Sequence, residues 1–224
     1  MQGAQDNGGS TSARRYRWMF VFAVGGDLRF ISHHDTLRFF RRALARANLP
    51  VRFSEGFNPH PRINLPLPRP VGVASDAEAM VVEFERPVDP DEALRRIAEH
   101  TPAEIRMIRV EPLGPNDRPQ PEWVRYRLDA GQPPPPDLPA RARDILASDV
   151  VPVERVIPKS GRKRSLNIRP YIVELRVDGS SVDFTIRVTG SGAARPSEIA
   201  ALLGFDAGSI NHRIRRVEVQ WRQT

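Results

Sequence analysis

Two hydrophobic patterns alternate along this chain, and their order restricts the fold more than any other feature. Short apolar runs rich in β-branched and aromatic residues read as strands: YRWMFVFAV from Tyr16, AMVVEFERP from Ala79 and EIRMIRVEP from Glu104. Stretches of helical period lie between them. Ser32 opens the first, with Asp35 three residues on in the place of an acidic capping partner. Leu37, Phe40, Leu44 and Ala47 then share one apolar face, and Arg38, Arg42 and Arg46 form an i, i+4, i+8 stripe on another. A proline-punctuated extended stretch follows Pro50. A second helix begins near Asp89, turns Leu94, Ile97 and Ala98 inward, and stops before Pro102.

The order then recurs. WVRYRLDA is a strand, LPARARDILAS a short helix and VPVERVI extended. IRPYIVELRV and VDFTIRV form two strands, with a hairpin turn at Asp178 to Ser180. PSEIAALLG is a helix with Pro196 and Ser197 at its start and Gly204 at its end, and RIRRVEVQW is a final strand. The repeated strand, helix, strand, strand, helix, strand order predicts an α+β chain of tandem ferredoxin-like (βαββαβ) halves with antiparallel sheets. Residues 15–113 form the first half and residues 122–224 the second. The Pro- and Gly-rich 114–121 stretch links them, because it suits neither a helix nor a central strand. Residues 1–14, rich in Gly, Ser and Asn and without apolar period, read as a disordered leader.

The charge narrows the function class. The chain carries a net charge of +7, a balance that favours polyphosphate partners. Lysine occurs only at Lys159 and Lys163 among 34 basic residues, so the arginine excess itself reflects compositional bias. Both lysines nevertheless fall inside PKSGRKRSLNIRP, with Arg162, Arg164 and Arg169 beside them. This basic loop suits phosphate contact through guanidinium forks and point charges, although a charged run is also what an ordinary solvated loop carries. The chain has no cysteine, which excludes disulfides, thiolate metal sites and iron–sulfur ligation. No Walker loop, dinucleotide-type glycine fingerprint or nucleophile elbow is present. No apolar run approaches the roughly 18 residues of a membrane span, and the expectation is a cytoplasmic protein with no membrane partner and no cofactor.

The densest chemistry lies between Arg29 and Val73. His33 and Asp35 sit in the first turn of a helix, and His60 is held in a Pro-His-Pro bracket of restricted backbone. If the extended segment lies beside the helix start, His33, Asp35, Ser54, Asn58 and His60 converge, and the two imidazoles would suit acid–base work on a phosphodiester. The structural alternatives are a capping role for Ser32 and Asp35, and imidazoles that pin the Asn58 loop to the helix. Their spacing matches no established zinc motif, so no metal is expected. Phe57, beside Asn58, is the best placed aromatic for stacking on a base.

Ser32-His33-x-Asp35 at a helix start, Arg42, Ala43 and Ala47 along that helix, Ser54, and Gly56-Phe57-Asn58-Pro59-His60-Pro61 after it resemble the radical-SAM-linked proteins, a bacterial family. Ile168 to Ile172 also resembles the family pattern, whereas His34 stands where the family usually has Leu. The resemblance implies RNA modification or processing, since relatives occur alone or joined to cobalamin-binding radical SAM enzymes, in the gene neighbourhood of ribonucleases and ribosomal proteins. The expectation is an RNA-binding module for structured RNA, tRNA or rRNA rather than mRNA, with a radical SAM or ribonuclease partner. Arg38, Arg42, Arg46, Phe57, Asn58, Lys159, Arg162, Lys163, Arg164 and Arg169 would touch the nucleic acid. Two alternatives stand beside it: an RNA endonuclease or transferase in which His33, Asp35 and His60 are catalytic, and a protein-binding adaptor for a radical SAM enzyme.

Overall fold

Both faces of β1 (Tyr16–Val24) are covered, which is why its sequence is apolar without alternation. In the computed structural model, which describes residues 15–157 and 160–222, Phe20, Phe22 and Val24 turn toward two helices. These are α1 (His33–Arg46), through Phe40 and Leu44, and α2 (Pro90–Glu99), through Ala93 and Ile97. Met19 and Val21 point the other way, into a smaller cluster with Ala79, Val81 and Leu113. Ala98, expected to face inward, is exposed; the cap at Asp89 sets a phase in which Ala93 and Ile97 form the buried i, i+4 pair.

The first stretch is completed by β2 (Ile63–Asn64), β3 (Ala74–Phe84) and β4 (Ile105–Leu113). The second contains β5 (Gln120–Asp129), α3 (Leu138–Ala147), β6 (Pro152–Val156), β7 (Lys163–Asn167), β8 (Ile172–Asp178), β9 (Ser181–Arg187), α4 (Pro196–Leu202) and β10 (Ile214–Arg222). The architecture is mixed α+β, with one mostly antiparallel sheet in the order β4-β1-β3-β10-β5-β9-β8 and β2 added against β3. Strands β6 and β7 pair apart from it as a hairpin. Without that hairpin, both stretches order their strands fourth, first, third, second along the chain. In the second, α3 and α4 bury Leu138, Ala142, Ile145, Ile199 and Ala200 against β5, β8 and β9.

The stretches meet where β10 runs parallel to β3, over Arg215↔Ala74 and Arg216↔Ser75. This edge of β3 is shared, because β2 takes it farther along at Val81 and Val82. β5 begins inside the stretch expected to be a linker and includes Pro121, which faces Trp221 of β10. Pairing with β9 starts only at Trp123, so Pro121 stands where one side of the strand needs no N–H donor. The leader at residues 1–14 and the Lys159 position lie outside the described residues. No helix among the described residues is long and apolar enough to cross a membrane.

Candidate nucleic-acid interface

The first turn of α1 is fastened by its own side chains. Ser32 Oγ accepts the Asp35 backbone N–H at 3.1 Å, and its hydroxyl donates to Asp35 Oδ2 at 2.6 Å. The carboxylate therefore accepts a hydrogen bond from the Ser32 hydroxyl, which, with nearby Arg38, holds the Asp35 carboxyl below the usual carboxylate range. Arg38 lies 3.6 Å from Asp35 Oδ1.

Beyond that turn the 3.6-residue period places Arg38, Arg42 and Arg46 along one groove of about 480 Å³. Half-buried Phe39 and His100, from the end of α2, also line it. Among the described residues Arg42 and Arg46 make no ion pair, so two guanidiniums stand ready for an outside anion beside an aromatic ring. This is the chemistry of a surface that holds a phosphate backbone and accepts a base or ribose against an apolar wall.

His33 and His60 differ in burial. His33 is half-buried; burial lowers its pKa, the adjacent His34 ring 5.9 Å away works in the same direction, and Glu78 of β3 opposes both. The neutral imidazole is thereby favoured, able to donate through one nitrogen and accept through the other. His60 is exposed at the neck of a loop closed by Ser54 N–H to His60 O at 2.8 Å and by His60 N–H to Ser54 Oγ at 2.9 Å. That loop is tied to Glu83 of β3 through the Arg52 and Arg62 backbones. Among the described residues no hydrogen bond or ring contact joins His33 or Asp35 to Asn58 or His60.

The same loop carries Phe57 at its tip, with the ring as exposed as in an extended chain, at 107%. Gly56 has φ +122°, a conformation that side chains disfavour, and lets the backbone turn just before that ring. Asn58 is exposed beside it. In the second stretch, the segment expected to be a basic loop is the return arm of the β6–β7 hairpin. Ile157 N–H bonds Arg162 O at 2.9 Å, and β7 carries Lys163 and Arg164 outward. Lys163 pairs with Glu154 across the hairpin at 2.9 Å, while the side chains of Arg162 and Arg164 have no partner among the described residues. Arg169 instead serves the interior: its guanidinium donates to Ile172 O and Leu146 O, both at 3.0 Å. No group of three or more His, Asp or Glu side chains among the described residues is placed to hold a metal ion.

Residues 15–196 match the family described as "Uncharacterized protein conserved in bacteria (DUF2344)". The chain belongs to this family. Every candidate contact from His33 to Arg169 lies within the matched residues, whereas β10 lies beyond them. Among solved structures the chain is similar to an unknown protein from Galdieria sulphuraria, at 10% identity over 94% of this chain and 99% of that one. The TM-score is 0.27, too low to carry an argument. Comparison with curated proteins finds no match.

The sequence pattern did not single out three charged residues buried where the stretches meet. Arg216 and Glu78, with side chains 1% and 8% exposed, pair at 2.7 Å. Arg216 Nη2 also donates to Pro68 O at 3.0 Å. Arg69 donates to the carbonyls of Arg29, Val73 and Leu28 and lies close enough to Glu78 and Arg216 to sense both charges. A signal existed for one of them: Glu78 stands between Ala77 and Ala79 in an apolar strand, where a charge seldom sits unpaired.

Proposed function

We propose that this chain is an RNA-binding module that recognises structured RNA, tRNA or rRNA rather than mRNA. In this reading it supports a modification or processing step performed with a radical SAM or ribonuclease partner. The observation that carries the reading is the α1 groove, where Arg38, Arg42 and Arg46 stand in line with Phe39 and two of the three guanidiniums lack an ion pair. Cations at regular spacing beside an aromatic ring match the repeat of a sugar–phosphate backbone better than they match a small metabolite. Arg162 and Arg164 on the hairpin and Phe57 on its loop add contacts of the same chemistry. The shared strand order of the two stretches supports a tandem of ferredoxin-like units as the scaffold.

Salt dependence tests the reading. Affinity for a labelled hairpin RNA is measured by anisotropy over a range of salt. If Arg38, Arg42, Arg46, Arg162 and Arg164 each engage one phosphate, the slope of log K against log salt approaches about −3.5, at roughly −0.7 per contact. Arg42→Glu with Arg46→Glu should flatten that slope by about 1.4 and weaken binding. A salt-independent affinity, or a double variant that binds like wild type, would overturn the proposal.

A further inference from the structure

A second cavity, of about 200 Å³, lies where segment 67–70 of the first stretch covers β5 and β9 of the second. Its walls are largely apolar, with Leu67, Val124, Ile186 and Val188 among them. Three arginines also line it: Arg155, Arg195 and Arg216. Arg155 is committed, holding Glu198 through Nε and Nη2 at 2.7 Å and donating to Ala193 O. Arg195 is exposed at the rim, and its guanidinium has no partner among the described residues. Arg216 lies behind the wall, its side chain only 1% exposed and its Nε–H sealed off without an acceptor.

The charge behind the wall points to what would bind here. The buried set Arg69, Glu78 and Arg216 holds two guanidiniums against one carboxylate, so the interior beside this cavity carries an uncompensated positive charge. A buried charge left unbalanced is costly unless a negative charge stands nearby. The cavity's own lining supplies none, since it contains no acidic side chain.

We propose that this cavity binds a small organic anion, a carboxylate on a compact apolar body, with the carboxylate toward Arg195 at the rim and the body against the aliphatic wall. The size fits: a void of about 150 Å³ takes up benzene, so 200 Å³ admits such a ring with a carboxylate attached. The proposal is independent of RNA binding, since the α1 groove shares no residue with this cavity.

Benzoate is the probe, with benzyl alcohol and inorganic phosphate as comparisons, titrated by calorimetry into the full chain. Benzoate should saturate with a Kd of about 1 mM or tighter, as expected for a ligand of this size. Benzyl alcohol lacks the charge and phosphate lacks the apolar body, so both should bind far more weakly. Arg195→Ala, at the exposed rim, should weaken benzoate about fivefold without changing the melting temperature. Ala193→Phe should fill the cavity and abolish binding; if that variant fails to fold, the Arg195→Ala result decides alone. Failure of benzoate to saturate, equal binding of either comparison compound, or benzoate affinity unchanged in Arg195→Ala or in folded Ala193→Phe would overturn the proposal.

Discussion

Glu78→Gln keeps the shape of a buried side chain and removes its charge, leaving Arg216 and Arg69 in the interior without a carboxylate between them. Burial works against the charge on Arg216, and the attraction of Glu78 and Tyr126 outweighs it, so that its pKa stays above the usual arginine value. Arg69 is already pushed down by burial, with Glu78 holding against that push and Arg216 adding to it. Breaking a buried pair by removing one partner costs about 3–5 kcal/mol. A folded chain of this length unfolds with an entropy of about 0.45 kcal/mol/K, so the melting temperature should fall by roughly 7–11 °C. The measurement is a thermal melt followed by circular dichroism, with Asp183→Asn as control. Asp183 accepts two bonds from Arg127, at 2.8 and 3.0 Å, but on the exposed side of β5 and β9, where such a pair contributes about 1 kcal/mol or less. Removing both charges of the buried pair, Glu78→Leu with Arg216→Met, should be milder than Glu78→Gln alone. If Glu78→Gln melts like the Asp183→Asn control, the two stretches are not held together by this pair and the reasoning fails.

Two further outcomes follow from the geometry of the first stretch. His33 binds a proton less readily in the folded chain than in the unfolded one, so its contribution to stability is present above about pH 6.5 and is lost as the pH falls through the lower folded value. Melting temperatures should therefore decline from about pH 7.5 to about 5, and His33→Gln should remove part of that decline; an identical slope in the variant would refute it. Phe57→Ala should leave the melting temperature unchanged, because the ring touches solvent on all sides, yet weaken RNA by about fivefold or more if it stacks on a base. Undiminished RNA affinity would remove Phe57 from the interface.

Local chemistry made the helices and most strands legible. The bounds of β1, the Ser32 cap and the turn before β9 follow from patterns a few residues long. The Arg38, Arg42, Arg46 stripe was legible for the same reason, since helical period alone aligns it. Pro121 misled because proline's exclusion from strands depends on which side has a neighbour, a fact of the assembled sheet. The hairpin character of the basic segment was hidden because Lys163, Arg164 and Ser165 have little strand preference of their own; pairing with β6 imposes it.

The candidate site divides along the same line. By itself the sequence determined the α+β class, the capped helix and the exposed arginine face, because each depends on neighbours three or four positions away. Only the tertiary structure decided that the loop carrying His60 is tied to Glu83 of β3. It likewise decided that Arg169 binds carbonyls of the interior, and that Arg216 of β10 meets Glu78 of β3. Those placements depend on which strand lies beside which, and the parallel meeting of β3 and β10 brings together residues 138 positions apart, a separation at which no local pattern carries information.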